Sequence, residues 1–352
     1  MALFGRTVRQ WIARSLIGLV SLASLGLALA YQLDTTPVWW IELLRYLPFF
    51  AVLPFALLAL GLSLWLGWFW RLLSVAALAL LLTEVMGLSL GPDRVEPPAD
   101  ASRSVRLMTY NIKSYHADGF GLIAEEISHH HPDVLVMQDA QLLEDDNPPP
   151  ELRPTLSELR YHYGYGQYVL FSRYPLRRCE LPDLSYPAKK SEYVHCVLQV
   201  GSSEIDLIVV HFVSPREGLN AARHDEPGGM ADWQENFTAR LHQSRVLVNG
   251  LLRLRRPVIV AGDLNAAEHS PVVRQLLDTG LRDAFSAAGT GYGYTIGHAL
   301  KPHLSFLRID HILLTPSIGV SQCVTGWRGA SEHRPVIADL VLPAATTPRP
   351  KP

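Results

Sequence analysis

The sequence predicts an α+β domain over residues 105–342, behind a membrane anchor of three helices in residues 1–91. Residues 1–91 contain long apolar runs that carry few charges, and such runs are typical of membrane helices. Beyond them, short runs rich in Val, Ile and Leu outnumber helical repeats, which indicates a domain built mainly from strands. Nearly every one of these runs ends in Asn, Asp or His.

The anchor is predicted from three apolar runs, which cover residues 11–31, 46–70 and 72–90. About twenty apolar residues suffice to cross a bilayer as a helix. Pro48 and Pro54 lie in the second run, and proline is tolerated in membrane helices. A cleaved signal peptide is the alternative for the first run, and the two apolar runs that follow it favour the anchor.

The basic residues near the N-terminus predict the orientation of this anchor. Arg6, Arg9 and Arg14 favour a cytoplasmic N-terminus, because cytoplasmic segments of membrane proteins are enriched in Lys and Arg. Three crossings of the inner or plasma membrane then place the α+β domain outside the cytoplasm, in the periplasm or at the cell exterior of a bacterium.

The composition of the chain limits the classes of protein to which it can belong. The net charge of −2 shows no whole-chain signature of a nucleic-acid-binding protein. Three cysteines do not make a disulfide framework. Cys179 and Cys196 flank a possible antiparallel pair of strands and could form a bridge, which would leave Cys323 free.

Residues 92–104, which contain several prolines, are predicted to be a linker, and the Pro- and Thr-rich residues 343–352 are predicted to be a disordered tail.

Secondary structure in the domain follows from hydrophobic periodicity. Helical spacing covers residues 120–131, where Pro132 ends the helix, and residues 234–253. Strands are predicted over residues 104–111, 133–139, 168–172, 193–200, 204–211, 257–262, 307–314 and 336–342.

Polar side chains end several of these strands. Asp263 and Asn265 follow the apolar run that stops at Gly262, and a spacing of two places both side chains on one side of an extended chain. The alternative for this pair is a turn or a helix cap, which Asn and Asp favour. Asn111, Asp139 and His211 end other strands, and the predicted strand 307–314 carries Asp310, so we expect a polar site where these strands converge.

The order of these motifs resembles the endonuclease/exonuclease/phosphatase superfamily, which includes DNase-type nucleases and neutral sphingomyelinases. The motifs that carry the resemblance are Tyr110-Asn111, residues 133–139, His211, Gly262-Asp263-Leu264-Asn265, Arg308-Ile309-Asp310 and Ser331-Glu332-His333-Arg334-Pro335. The resemblance covers residues 105–342. It implies a four-layer α/β sandwich with two central, mostly antiparallel sheets flanked by helices. It also implies hydrolysis of phosphate esters with a divalent metal, Mg²⁺ or Mn²⁺.

The resemblance implies a role for each residue. Asn111 and Asp139 resemble the metal-binding amide and carboxylate, and such oxygen donors suit Mg²⁺. Asp263 resembles the residue that orients or deprotonates the attacking water, and Asn265 the donor that supports it. His333 resembles the catalytic histidine, Asp310 its orienting carboxylate, and His211 a second histidine that donates to a phosphoryl oxygen or acts as an acid.

Two residues depart from the family pattern. Asp139 stands where the family has a metal-binding Glu, and Glu332 stands where it has an Asp before the catalytic histidine. One hypothesis is that the metal lies closer to Asp139, with Glu332 reaching in. The alternative is a weakened metal site, and with it a catalytically impaired module that binds a phosphorylated ligand.

The expected function is therefore that of a membrane-anchored, metal-dependent phosphoesterase, with a lipid headgroup or nucleic acid as substrate and no implied protein partner. The nucleic-acid alternative depends on a basic groove that would be lined by Arg173, Arg177, Arg178, Lys189, Lys190, Arg216 and Arg223. Arg240 and Gln243, one helical turn apart, either face the site or lie at the surface. His311 is expected to be structural, because it points away from Asp310 on a strand.

Overall fold

The computed structural model describes residues 2–32, 38–97, 104–113, 119–143, 148–187, 190–223, 228–297, 304–327, 329 and 331–343. The chain forms two compact units, one of Met1–Leu88 with His269–Pro271 and one of Ser89–Glu268 with Val272–Pro352. Residues 98–103 of the predicted linker, and the predicted tail apart from Pro343, lie outside the described residues.

The first unit is helical. Its helices are α1 (Ala2–Gln32), α2 (Trp39–Leu44), α3 (Leu53–Ser63) and α4 (Trp68–Leu80), and α4 continues into a π-helical turn, Leu81–Val85. Within the described residues, two helices are long and apolar enough to cross a membrane, Thr7–Gln32 and Trp68–Val85. A signal sequence near the N-terminus would also satisfy this criterion of length and composition.

The expectation of three helices of spanning length is wrong for the middle run. Residues 46–70 form a 3₁₀ turn, Phe49–Ala51, followed by the short helix α3. Pro48 directly precedes the 3₁₀ turn, and Pro54 lies in the first turn of α3, where a missing backbone N–H is tolerated. The apolar segment Phe49–Ser63 would extend about 22 Å at 1.5 Å per residue, less than the roughly 30 Å hydrocarbon core.

The second unit contains two six-stranded sheets. The strands are β1 (Ser104–Asn111), β2 (Val134–Gln138), β3 (Tyr161–Tyr165), β4 (Tyr168–Ser172), β5 (Leu176–Glu180), β6 (Val194–Val200), β7 (Ser203–His211), β8 (Val258–Asp263), β9 (Arg282–Asp283), β10 (Asp310–Leu314), β11 (Gly319–Thr325) and β12 (Val336–Val341). In the first sheet, the strand order is β11-β12-β1-β2-β4-β3, and in the second it is β5-β6-β7-β8-β10-β9. The only parallel neighbours among the named strands are β1 with β2 and β7 with β8, so both sheets are mostly antiparallel, as predicted.

Helices flank these sheets. They are α5 (Phe120–His130), α6 (Arg153–Leu156), α7 (Arg216–Arg223), α8 (Gly229–Leu251), α9 (Pro271–Leu277) and α10 (Ala284–Ala288). Side chains from both sheets, including Leu107, Val136, Val209 and Ile312, form the central core. A second core contains side chains of α5, α6 and the first sheet. The α+β sandwich implied by the resemblance is therefore confirmed.

Ser89 and Val95, which lie before the predicted domain, form backbone hydrogen bonds within the second unit. Ser89 pairs with Gly291, and the backbone N–H of Val95 donates to Val320 O at 2.9 Å, so residues before the predicted domain join its hydrogen bonding.

Cys179 and Cys196 form a disulfide between β5 and β6, and Cys323 is a buried free thiol.

Candidate active site

Asp263 lies at the end of β8, between two other strands that carry polar side chains. The register places Asp263 opposite His211 on β7 and opposite Asp310 on β10. Gly262 precedes it with φ +140°, and a Cβ at this position would lie 2.0 Å from Val210 O. Only glycine therefore lets β8 approach β7 closely enough to bring the two strand ends together.

The Asp263 carboxylate is the centre of the site. Its Oδ2 accepts a hydrogen bond from Asn111 Nδ2 at 2.9 Å and lies 3.7 Å from His211 Nε2 and 3.9 Å from His333 Nδ1. Asp263 is 1% exposed. Burial, and then the negative charge of Asp310, raise the pKa of Asp263. A carboxylate of raised pKa beside two imidazoles is suited to accepting a proton.

His333 and Asp310 form a buried pair. Nδ1 of His333 lies 2.9 Å from Asp310 Oδ2. Burial lowers the pKa of His333, but the Asp310 carboxylate outweighs burial and raises it above the ordinary value. Ser331 fixes the turn, because its hydroxyl donates to Asn111 O at 2.8 Å and accepts from His333 N at 3.1 Å. The predicted role of Asp310 as the carboxylate that orients His333 has the geometry it requires.

His211 links Asp263 to Asp139. Its Nδ1 lies 2.6 Å from Gln167 Oε1 and 3.6 Å from Asp139 Oδ1, and its backbone N–H donates to the hydroxyl of Tyr168 at 3.0 Å. Asp139 has φ +50°, and its side chain is partly exposed. Sequence reasoning did not identify Gln167 as a site residue, because its position in the turn between β3 and β4 carries no motif.

Asn265 connects two segments of the site. It has φ +48°, its backbone N–H donates to Asp263 Oδ1 at 2.8 Å, and its Nδ2 donates to Phe212 O at 2.8 Å. Arg240, on α8, donates to the Asn265 carbonyl at 2.9 Å and is fully buried, as is Gln243. Arg240 and Gln243 are therefore not at the surface, and both bond to backbone groups of the segments that follow β8 and β7.

Glu332 is partly exposed and pairs with basic side chains. Its carboxylate forms a close ion pair with Arg216 and a second pair with Lys113, whose Nζ lies 3.6 Å from Oε2. Burial alone would raise the pKa of Glu332, but Arg216 and Lys113 hold it below the ordinary value. The structure thus brings together Asn111, Asp263, Asn265, Asp310, His211 and His333, with Asp139 beside His211 and Glu332 at the rim.

The chemistry of these donors fits a divalent metal such as Mg²⁺ or Mn²⁺. Ligand atoms of Asp263, Asp310 and His333 lie within 4.8 Å of one another. Within the part of the chain that the structure describes, Oδ1 of Asp310 is buried and has no hydrogen-bond partner. Two buried carboxylates repel each other, and a cation would compensate both charges. Carboxylate and amide oxygens are the ligands that Mg²⁺ prefers.

Three of the arginines that were predicted to line a basic groove form ion pairs with acidic side chains. Arg173 pairs with Asp133 and Glu158, Arg178 with Glu204, and Arg216 with Glu332. Lys189 and the side chain of Arg223 lie outside the described residues. His311 has the structural role expected of it, because its ring nitrogens lie 2.9 Å from Asp283 Oδ2 and 3.0 Å from Ala266 O.

Comparison with solved structures finds the same fold in several bacterial proteins. An endonuclease/exonuclease/phosphatase from Beutenbergia cavernae DSM 12333 is 21% identical, with 69% of this chain and 72% of that chain covered and a TM-score of 0.50. A Bacteroides vulgatus protein of the same description is 19% identical, with 68% and 99% covered and a TM-score of 0.53. The mannosyl-6-phosphatase Bt3783 of Bacteroides thetaiotaomicron is 15% identical, with 68% and 100% covered and a TM-score of 0.50.

The sequence comparison agrees with the structural one. No curated protein matches the chain in sequence. The family profile described as "Endonuclease/Exonuclease/phosphatase family" matches residues 108–333, which include every residue of the site described above. The chain therefore belongs to the endonuclease/exonuclease/phosphatase family.

Proposed function

We propose that this protein is a membrane-anchored phosphoesterase that hydrolyses a phosphate ester with the help of a divalent metal. The observation that supports it is the arrangement around Asp263 Oδ2, where one amide and two imidazoles converge on a buried carboxylate. A binding protein has no need of a proton-accepting carboxylate with a paired histidine beside it, whereas hydrolysis by general acid–base catalysis uses both.

In the proposed reaction, a water oxygen attacks phosphorus and the bond from phosphorus to the leaving oxygen breaks. Asp263 takes the proton of the water, with its carboxylate held by Asn111 and by the backbone of Asn265. His333, kept protonated by Asp310, stabilises the charge on the phosphoryl group or protonates the leaving oxygen. His211, 3.7 Å from Asp263, is the second candidate for this proton.

A bound Mg²⁺ or Mn²⁺ supplies Lewis-acid polarisation of the phosphoryl oxygens and charge compensation. Asn111 and Asp139 are proposed as its ligands, with Glu332 as a third candidate. Asn111 is bonded to Asp263, and Asp139 lies beside His211, whose other ring nitrogen is 3.7 Å from Asp263. Glu332, by contrast, is engaged by Arg216 and Lys113.

A lipid headgroup is the substrate class we favour over nucleic acid. Residues 105–342 contain more Asp and Glu than Lys and Arg, and three of the arginines predicted to line a basic groove have acidic partners. Nucleic-acid binding depends on cations that are available to neutralise phosphates. A domain tethered to a membrane would also meet lipid headgroups at high local concentration.

We also propose that the catalytic domain lies outside the cytoplasm. The Cys179–Cys196 disulfide supports this location, because disulfides persist in oxidising compartments. With two crossings and a cytoplasmic N-terminus, the domain would remain in the cytoplasm. With a cytoplasmic N-terminus, this location therefore requires that the apolar segment Phe49–Ser63, which is shorter than the hydrocarbon core, also crosses the membrane, as a short segment does where the bilayer thins locally.

The second candidate function is a catalytically impaired module that binds a phosphorylated ligand. Its support is the pairing of Glu332 with Arg216 and Lys113, at a position where the family pattern has a metal-site Asp. The intact arrangement of Asp263, Asp310 and His333 argues against it.

The test is turnover by the purified full-length protein in detergent, with Mg²⁺ and then Mn²⁺. Three substrates are bis-p-nitrophenyl phosphate, plasmid DNA and phospholipid or sphingomyelin vesicles. We expect turnover that requires metal, is greatest with vesicles, and is abolished in Asp263→Ala and His333→Ala. If the folded protein turns over none of the three, and the double variant Asp139→Glu/Glu332→Asp gains activity, the impaired module is the correct description.

A further inference from the structure

Helix α8 carries a row of buried polar side chains on its inward face. Asn236, Arg240 and Gln243 recur at helical spacing and are nearly or fully buried. A helix that only packs against a sheet would present apolar side chains at these positions. Since buried polar and charged groups are costly unless they are hydrogen-bonded, their bonding partners indicate what they do.

All three side chains bond to segments that carry catalytic residues. Asn236 Nδ2 donates to Ser214 O at 2.8 Å, and Gln243 Oε1 accepts from Val213 N at 2.9 Å. Both acceptor and donor lie in the segment directly after His211. Arg240 Nη1 donates to Asn265 O at 2.9 Å, two residues after Asp263. One helix face therefore holds the ends of both β7 and β8.

Arg240 is the central member of this row. Its Nε donates to Asn236 Oδ1 at 3.1 Å, so the guanidinium bonds the Asn265 segment directly and the Ser214 segment through the Asn236 side chain. Its charge lies 5.4 Å from the ring centre of Trp233 and 5.7 Å from that of Phe237. The guanidinium is planar and its donors have fixed directions, so both bonds form without further ordering of the side chain.

Asn265 is the residue that needs this support. Its φ of +48° lies in the left-handed region, which a residue with a side chain adopts at a cost in free energy. In this conformation its backbone N–H reaches Asp263 Oδ1 and its side chain reaches Phe212 O. A charged donor on its carbonyl stabilises the backbone direction on which both contacts depend.

We propose that Arg240 is a positioning residue, which holds Asn265 in its left-handed conformation and thereby fixes the Asp263 carboxylate relative to His211. Asn236 and Gln243 complete the same support on the segment after His211. The inference rests on the proposed hydrolytic function for its effect on turnover, but the support itself is independent of that function.

The experiment uses full-length protein in detergent and four variants on α8. Arg240→Met removes the charge at similar length, and Arg240→Lys keeps the charge but lacks the planar fork. Arg245→Met is the matched control on the exposed face of the same helix, and Leu247→Ala is a buried apolar change on α8 that destabilises the fold without removing a polar group. Hydrogen exchange is measured at residues 212–214 and 264–266, and kcat and KM with bis-p-nitrophenyl phosphate.

We expect Arg240→Met to increase exchange in both segments and to lower kcat by about 100-fold with KM nearly unchanged, because small misplacements of reacting groups have effects of this size. Arg240→Lys should fall between it and the wild type. Arg245→Met should match the wild type, and Leu247→Ala should lose thermal stability but keep its kcat where it is folded.

The proposal is overturned if exchange in the two segments is the same in Arg240→Met as in Leu247→Ala, or if kcat falls only in proportion to the unfolded fraction. A wild type that shows no turnover, together with increased exchange in Arg240→Met, would refute the proposed function while the support by Arg240 stands.

Discussion

Asp263 and Asp278 are aspartates of the same domain, but only Asp263 is buried and lies beside two imidazoles. The difference in their chemistry therefore comes from their surroundings. Burial and the neighbouring Asp310 make Asp263 a better proton acceptor than an exposed carboxylate, and Asn111 and Asn265 hold both of its oxygens.

Asp263→Asn is expected to lower kcat by about 10²-fold to 10⁴-fold, the usual contribution of a general base. The amide has nearly the same shape but cannot accept the proton of the water. Steady-state kinetics with bis-p-nitrophenyl phosphate measures the effect, and Asp278→Asn serves as the exposed control. A kcat within threefold of the wild type in Asp263→Asn would rule out Asp263 as the base.

Metal binding can be measured separately from activity. Asp139→Asn is expected to weaken Mn²⁺ binding by at least 10-fold, a loss that even removal of a hydrogen-bond partner of a ligand can cause. Glu332→Gln is expected to change the affinity less, because Arg216 and Lys113 already compensate this carboxylate. Electron paramagnetic resonance of free Mn²⁺ gives both affinities. Equal losses in the two variants would identify Glu332 as a ligand.

At the scale of the elements, the approach of β8 to β7 depends on one glycine. Gly262 has φ +140°, and Val210 O occupies the place that a side chain would need. The strand end that carries Asp263 can therefore form only with glycine before it.

Gly262→Ala is expected to destabilise the fold by more than about 3 kcal/mol, since backbone strain and overpacking each cost up to that amount. Urea denaturation measures the change in the free energy of unfolding. Gly121→Ala is the control, because a Cβ there meets nothing within 4 Å. Equal stability of the two variants would show that β7 and β8 move apart at little cost.

A buried ion cluster joins Asp283 on β9, His311 on β10 and Arg308, which lies two residues before β10. Although burial would raise the pKa of Asp283, the Arg308 guanidinium and the hydrogen bond with His311 hold it well below the ordinary value. A lowered pKa in the folded state means that this stabilisation is full above about pH 4 and is lost as the pH falls further.

Asp283→Asn is thus expected to cost about 3 kcal/mol at neutral pH, the lower end for a broken buried ion pair, because Arg308 would remain buried with Glu268 as its remaining carboxylate partner in this cluster. As the pH falls below about 4, the free energy of unfolding should also decrease less in this variant than in the wild type. The measurement is the free energy of unfolding at several pH values, with Asp278→Asn as the exposed control. An unchanged acid dependence in Asp283→Asn would mean that other carboxylates govern it.

At the scale of the whole molecule, the number of membrane crossings decides the compartment of the catalytic domain. Three crossings place it outside the cytoplasm and two leave it inside. The disulfide supports the first arrangement, whereas the two helices of spanning length support the second.

We expect a C-terminal alkaline phosphatase fusion to be active in a bacterial host and a C-terminal green fluorescent protein fusion to be dark. Thiol alkylation and mass spectrometry of protein purified from membranes should find Cys179 and Cys196 oxidised. A fluorescent fusion with reduced cysteines would instead establish two crossings and a cytoplasmic domain. Cys323, which is buried, is the internal control for a reduced thiol.

Sequence patterns predicted the central elements better than the edges. The predicted bounds of β1 and β4 match the structure, and those of β7 differ by one residue. The edge strands β3, β5 and β11 were not predicted, because edge strands are partly exposed and lack a continuous apolar run. Gln167 and Ser331 were missed as support residues, since their roles depend on contacts distant in sequence.

The sequence by itself determined the family, the two-sheet fold and the catalytic candidates, because hydrophobic periodicity and the order of motifs can be recognised in the sequence without knowledge of tertiary contacts. The tertiary structure decided which candidates meet. It gathered six of them, Asp263 included, into one cluster, paired Glu332 with Arg216 and Lys113, and placed the Arg240 guanidinium in hydrogen-bond contact with the Asn265 carbonyl. These outcomes depend on strand register and on side-chain direction, and both are fixed only when distant segments pack together.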